Sequence, residues 1–447
     1  VKKLLIIQKD EAYFLYETLQ VIEKNITFFK DYELSILVNE QTLKTVYGTE
    51  TPLIKGLTFL DKAVIENEYD VSVNLSLQEE TWEFHAGIHS LKKLGFYRLN
   101  GELRCDDLWS CYLLTLKARS PFLTFHLQDI YKNILGIKSW QPSTHRKFTV
   151  KTLIYGSVAL KLFSSQEQEN FLQELSQSYP DIPIKDICEI DLLEDVSGCL
   201  YIGPATLSSL RLADAGAKCF FLTSSFQGFN LLPRNGEHLI VSTRGSVFRT
   251  WPLIKIIEGG LKDKSFSECP YSIYKIDTNL SLTSYLTSQN HSDDLYPFYQ
   301  SHVVLWSFLL SLSDLDLDVI KCTEGQLQLL QNNYEVLSKF LRLHDYAMVS
   351  IGAIHDQAKS SGSNPVLIDE HIKTLTEIEK ISDQIAESHP LLRPFLDYYR
   401  IRRGQNIGAT LCEQSQHSLL TYAEEHQALK ALQELFSVTL RKNEVSI

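Results

Sequence analysis

The chain has 447 residues, of which 44% are hydrophobic and 11% aromatic. That is enough apolar material for a packed core and excludes a disordered chain. At roughly 150 residues per domain, two or three domains are expected. The formal net charge of −12 (Lys+Arg 43, Asp+Glu 55) argues against a nucleic-acid binder and against an anionic membrane surface. The longest apolar run, Val303 to Leu312, is broken by Ser307 and Ser311. It is far short of the about 20 residues a membrane span needs, so it reads as a buried helix. The first ten residues carry two lysines and a short apolar stretch without a secretory cleavage pattern, which reads as cytoplasmic. Eight scattered cysteines form no C-x-x-C pair and are expected to be reduced thiols.

In chain order, Lys3–Gln8 has strand length, and Glu11–Lys24 follows with apolar residues at helical spacing. Leu34–Val38, Leu57–Leu60 and Tyr69–Leu75 read as further strands. Phe122–Leu135 reads as a helix stopped by Gly136. Strand–helix alternation points to a parallel sheet covered on both faces. A polar, non-periodic stretch around Pro142 reads as a linker.

The pattern then restarts. Strands are expected at Val150–Tyr155, Ile182–Ile187, Leu200–Ile202, Cys219–Leu222 and His238–Val241. Helices are expected at Gln166–Leu175, Ile190–Val196, Thr206–Ala215 and Leu253–Leu261. From about Leu305 only helical spacing remains. Thr323-x-x-Gln326 fits a capping box, and three apolar stripes follow, led by Leu327, Ile368 and Leu419. The expected organisation is a Rossmann-like domain over 1–138, a second over 150–300, and a helical extension over 301–447 appended to the second domain.

No P-loop, no G-x-G-x-x-G after the first strand and no G-x-S-x-G elbow is present, which weakens the NTPase, dinucleotide and α/β-hydrolase readings. His85 and His89 are four apart, yet Ala86 stands where a zinc protease needs Glu, so they read as a surface or structural pair. The loop after the first strand holds Asp10 and Glu11. Ligands of parallel sheets bind beyond the carboxyl ends of strands, where a carboxylate can act as a general base. Asp10 is equally a natural N-cap for the helix behind it.

In the second half, Gly156-Ser157 follows a strand, with Lys161 shortly after. Small residues let backbone approach a phosphate, and lysine adds a point charge. Gly203-Pro-Ala-Thr-Leu-Ser-Ser209 opens a helix at Thr206 and Ser208, whose first-turn N–H groups would suit a diphosphate. The plainer reading has Thr206 only capping that helix. Arg400, Arg402 and Arg403 form a basic cluster, read as a solvated helix face.

This order of segments resembles glycosyltransferase family nine, the bacterial ADP-heptose:lipopolysaccharide heptosyltransferases of GT-B architecture, over about Lys2 to Leu261. Tyr69-Asp-Val-Ser-Val-Asn-Leu75 looks like the family's fourth-strand run, and His126 through Gly136-Ile137 like the helix before its linker. Tyr155-Gly-Ser-Val-Ala-Leu-Lys-Leu-Phe163 resembles the donor phosphate loop, with Phe163 in place of a tryptophan. Tyr201 through Gly216 resembles the donor signature and retains Thr206, Ala213 and Gly216. The signature's Asp, Gly and His fall on Ala205, Leu207 and Leu210.

The resemblance implies metal-independent, inverting transfer from a nucleotide-diphosphate sugar, ADP-linked heptose in the family, to a cell-envelope glycan or protein. Asp10, or in second place Glu11, would be the base, and Ser157, Lys161, Thr206 and Ser208 would hold the donor. No separate cofactor and no metal are implied. The location implied is cytoplasmic or peripheral to the inner membrane. The losses at Ala205, Leu207 and Leu210 support an alternative, a pseudo-glycosyltransferase acting as a scaffold, with a protein partner on its helical extension. A third reading, an unrelated two-domain protein such as a sugar-phosphate isomerase or a periplasmic-type binder, calls for one continuous sheet.

Overall fold

The protein is described by a computed structural model. The structure describes residues 1–47, 57–60, 68–105, 107–115, 126–137, 150–156, 164–190, 196–223, 238–242, 248, 253–257, 272–276, 282–284, 324–360, 364–405 and 408–444. Ser157, Lys161, Phe163, Leu305 and Thr323 lie outside them, as does most of the expected helix Ile190–Val196.

The elements run β1 (Lys2–Ile7), α1 (Ala12–Lys24), α2 (Ile26–Phe29), β2 (Tyr32–Leu37), α3 (Glu40–Tyr47), β3 (Leu57–Leu60), β4 (Tyr69–Asn74), α4 (Glu79–Gly87), β5 (Ser90–Leu99), β6 (Glu102–Cys105), α5 (Leu108–Leu114) and α6 (Leu127–Ile134). The second run is β7 (Thr152–Tyr155), α7 (Ser165–Ser178), β8 (Ile184–Asp186), β9 (Cys199–Gly203), α8 (Leu207–Asp214), β10 (Lys218–Thr223), β11 (Leu239–Ser242), β12 (Ser272–Ile276) and β13 (Leu282–Ser284), with 253–257 also helical. Four helices close the chain: α9 (Glu324–Lys359), α10 (Pro365–Ser388), α11 (Arg393–Gly404) and α12 (Leu411–Glu444). The expected class is therefore observed: two Rossmann-like sheets and a C-terminal helical region. No helix among the described residues is long and apolar enough to cross a membrane.

The strands form two separate sheets, in the orders β3-β2-β1-β4-β5-β6 and β13-β12-β11-β10-β9-β7-β8. In the first sheet β1, β4 and β5 are parallel neighbours, as are β2 and β3, and β6 runs antiparallel to β5. The β5–β6 hairpin was not among the expected strands. Its turn, Asn100-Gly101, has both residues at positive φ (54° and 82°), the conformation an Asn-Gly dipeptide favours in a two-residue hairpin. In the second sheet β8, β7, β9, β10 and β11 are parallel, and β12 and β13 add an antiparallel edge.

The central strands are apolar along their length because both faces are covered. Leu4 to Ile7 are all buried, as are Cys199 to Gly203. Gly136 and Gly216, both at positive φ, end α6 and α8 where their sequence positions predict.

By its contacts the chain divides into two compact units. One comprises Gln8–Val64 and Pro121–Asp293, with Val1; the other comprises Lys2–Ile7, Ile65–Ser120 and Asp294–Ile447. The helical extension thus groups with strands and helices of the first run. The physical reason is packing of α11 on α5. Around that contact Phe395, Leu396, Tyr398 and Tyr399 are buried, and the Gln405 side chain accepts the Cys105 backbone N–H at 2.8 Å. Within the extension Ala347, Ile351, Ile378 and Tyr422 form one apolar cluster. Ile372 of the second expected stripe stands exposed.

Candidate functional site

The chain leaves β1 for β2 and β3 on one side and resumes at β4 on the other, so strand order reverses beside β1. Such a reversal at the carboxyl ends of strands is where open α/β sheets take ligands. The exit loop is Gln8-Lys9-Asp10-Glu11. Gln8 is fully buried and its backbone N–H donates to Leu37 O at 3.0 Å. Its Nε2 donates to the Tyr131 hydroxyl (3.0 Å) and to Thr18 Oγ1 (3.4 Å), while its Oε1 accepts the Asp10 backbone N–H at 3.2 Å.

Asp10 is only 6% exposed. The N-cap position of α1 is Glu11, whose side chain makes no cap hydrogen bond. The expected cap, Asp10, lies one residue ahead of that position. Glu11 is exposed, so of the two carboxylates Asp10 is the enclosed one. Beside this loop, burial first and then the charges of Glu11 and Asp10 hold the Tyr13 phenol well above its ordinary pKa, so it stays neutral.

The second sheet reverses its order between β7 and β9. There Gly156 N–H donates to Ile202 O at 3.2 Å. Tyr201 lies fully buried across this point, its hydroxyl donating to Pro204 O at 2.9 Å. A Cβ on Gly156 or on Gly203 would come within 2.5 Å of that hydroxyl. On this face the absence of a Cβ at both glycines makes room for the end of the Tyr201 side chain.

Thr206 is the N-cap of α8 in a reciprocal capping box with Ser209. The Thr206 hydroxyl accepts the Ser209 N–H at 3.3 Å, and Ser209 Oγ accepts the Thr206 N–H at 2.8 Å. Leu207 and Ser208 remain as the first-turn donors outside the box, and Ser208 is exposed. Leu210 is buried in the packing of α8 on the sheet.

α1 and α8 belong to the same unit and meet directly. Tyr16 donates to Asp214 Oδ2 at 2.6 Å, Lys24 pairs with Asp214 Oδ1 at 3.1 Å, and Arg211 lies over the Tyr16 ring. Glu17, fully buried beside them, accepts from Gln128 Nε2 at 2.5 Å.

Two other candidates fall to structural roles. α4 ends at Gly87, so His85 and His89 share no helix face. His85 is buried, with Nδ1 2.7 Å from Phe96 O and Nε2 2.8 Å from Ser72 Oγ, whereas His89 is exposed. The Arg400–Arg403 cluster is no open anion site. Arg400 pairs with Asp383 and Asp397, Arg402 with Glu424, and the buried Arg403 with Glu425 and Glu379. Among the described residues no group of three or more His, Cys, Asp or Glu is placed to hold a metal ion. Gln8, Tyr13, Tyr131 and Tyr201 were not among the expected site residues, because their role comes from burial at strand and helix ends and not from any local pattern.

No family model and no curated protein matches the chain. Among solved structures, it is similar to the heptosyltransferase WaaC of E. coli with ADP, at 9% identity and a TM-score of 0.39, over 58% of this chain and 99% of that one. It is also similar to a family 9 glycosyl transferase from Veillonella parvula, at 13% identity and a TM-score of 0.35, over 59% and 98%.

Proposed function

We propose that the protein is a family-nine-like glycosyltransferase that moves a sugar from a nucleotide-diphosphate donor to a cell-envelope glycan or protein, with Asp10 as the base. The observation that carries this reading is Asp10 itself: an enclosed carboxylate in the loop after β1, at the sheet's reversal point. A carboxylate in such a place can take a proton from an acceptor hydroxyl in reach. The acceptor oxygen then attacks the anomeric carbon, the bond from that carbon to the diphosphate breaks, and the nucleotide leaves with its electron pair. The carbon's configuration inverts. The leaving charge would meet the Leu207 and Ser208 N–H groups at the head of α8, with Ser157 and Lys161 completing the donor loop. A site so built needs no metal. Such transfer would take place in the cytoplasm, at the inner face of the membrane.

The test is nucleotide release in the presence of candidate acceptors from ADP-, UDP-, GDP- and CDP-sugars. ADP-heptose comes first on the strength of the sequence resemblance. Asp10→Asn is expected to bind nucleotide normally and to lose transfer. Full activity in that variant would remove Asp10 from the mechanism.

A second reading is favoured by a specific observation on the donor side. Tyr201 fills the glycine pair, Thr206 and Ser209 satisfy each other, and Ala205, Leu207 and Leu210 offer no polar side chain. On this reading the protein is a pseudo-glycosyltransferase that binds a protein partner through its C-terminal helices. It predicts no turnover of any nucleotide sugar, and measured transfer by the purified protein would exclude it.

A further inference from the structure

We infer that Gln8 and Tyr131 are positioning residues that hold Asp10 for proton abstraction, an assignment that rests on Asp10 being the base. The loop joining β1 to α1 has no glycine and only four residues, so its path is set by what anchors it. Gln8 uses all of its side-chain hydrogen-bonding groups inside the protein. One face of the carboxamide holds the backbone of Asp10, and the other reaches α6 through Tyr131 and α1 through Thr18. Thr18 is itself fixed, its hydroxyl donating to Phe14 O at 2.9 Å. Tyr131 is fully buried in α6.

A buried polar network with every member satisfied is rigid, and its geometry is transmitted to what it holds. A glutamine serving the fold alone needs partners of any kind; this one takes the amide of the residue that does the chemistry. Burial first, and then the negative charge of Asp10, holds the Tyr131 phenol well above its ordinary pKa, so it remains neutral while its oxygen accepts from Gln8. Misplacing a reacting group by about 1 Å lowers turnover by roughly 10²-fold without touching substrate affinity.

The experiment compares the full chain with Tyr131→Phe, Thr18→Val and Asp10→Asn, by hydrogen–deuterium exchange of the segment 8–14 and by turnover of the four nucleotide-sugar classes. Tyr131→Phe keeps the ring and is expected to speed exchange in that segment roughly tenfold, as for loss of one neutral hydrogen bond. Its kcat is expected to fall 10- to 100-fold, on the order set by misplacement of the base, with KM unchanged. Thr18→Val, should Tyr131→Phe fail to fold, is expected to show the same pattern more weakly. Unchanged exchange, or faster exchange with unchanged kcat, would overturn the assignment. If Asp10→Asn transfers sugar at the full rate, the base reading fails and the catalytic role of Gln8 and Tyr131 with it. Exchange in Tyr131→Phe still judges the anchoring on its own, so the two failures are told apart.

Discussion

The Tyr16 hydroxyl donates to Asp214 Oδ2 at 2.6 Å, joining α1 to α8 across 198 residues of sequence. Burial first, then the Asp214 charge, raises the Tyr16 pKa far above its ordinary value and keeps the phenol protonated. Lys24 neutralises the other carboxylate oxygen. The contact ties the helix that follows the candidate base to the helix that heads the candidate donor loop. Tyr16→Phe is expected to lower stability by about 1–2 kcal/mol, since it strips a hydrogen bond from a mostly buried carboxylate. Chemical denaturation at pH 7 measures it.

Glu17 stands next to this contact and gives it a pH dependence. Burial, followed by repulsion from Asp214, raises its pKa from 4.5 to about 8, against the opposing pull of Gln128 and Lys24. The folded pKa lies above the unfolded one, so Glu17 contributes stability that is complete below about 4.5 and is lost as pH rises toward 8. Glu17→Gln keeps an acceptor for Gln128 and cannot ionise. The variant is expected to gain on the wild type steadily between pH 5 and pH 8 in denaturation midpoints. Parallel curves across that range would show that Glu17 is ionised in the folded protein.

A double substitution tests the tyrosine that covers the glycine pair. Gly156→Ala places a Cβ 2.5 Å from the Tyr201 hydroxyl but 3.4 Å from its Cζ, while Gly203→Ala places one 2.5 Å and 2.8 Å from the same atoms. Each alone is expected to cost about 1–3 kcal/mol by overpacking. Tyr201→Phe removes the hydroxyl, so it should relieve Gly156→Ala and leave Gly203→Ala unrelieved. Thermal midpoints of the three single and two double variants read this coupling directly.

His85 is expected to be neutral, with its proton on Nδ1. Phe96 O can only accept, so Nδ1–H faces it, and Nε2 takes the Ser72 hydroxyl proton. Burial outweighs these bonds and lowers the pKa from 6.5 to about 4. Stability from this residue is full above pH 6.5 and falls as pH drops toward 4. Imidazole nitrogen shifts at pH 6 should report the neutral Nδ1–H form; an imidazolium signal there would contradict it.

In the helical extension Glu425 is wholly buried. Burial works to raise its pKa, and Arg403 and His344 more than offset this, holding the carboxyl below its ordinary range. Glu425→Ala leaves the Arg403 charge buried beside the half-exposed Glu379 alone, and is expected to cost about 3–5 kcal/mol. A loss below 1 kcal/mol in urea denaturation would mean that Arg403 finds water.

Strands β1–β4 and β7–β11 and helices α1, α6, α7 and α8 were legible because each announces itself locally, by apolar runs such as Leu4–Ile7 and by the stops at Gly136 and Gly216. The Asn100-Gly101 hairpin had a readable signal that strand–helix alternation masked. Three things were not legible. Asp10 and Glu11 are adjacent carboxylates, and only burial and the N-cap position separate them. Gly156 and Gly203 read as phosphate-friendly, because nothing local says that Tyr201 occupies their space. Arg403 and Glu425, 22 residues apart, sit on two helices whose pairing depends on tertiary packing, so the arginines read as solvated.

The most direct test of the central claim is a thermal-shift series with ADP, UDP, GDP, CDP and their sugar conjugates. A ligand that binds only the folded state at a hundredfold excess over Kd adds about 2.7 kcal/mol of apparent stability. The account predicts such a shift for one nucleotide class, retained in Asp10→Asn. No shift with any nucleotide or conjugate would contradict a donor site in this protein.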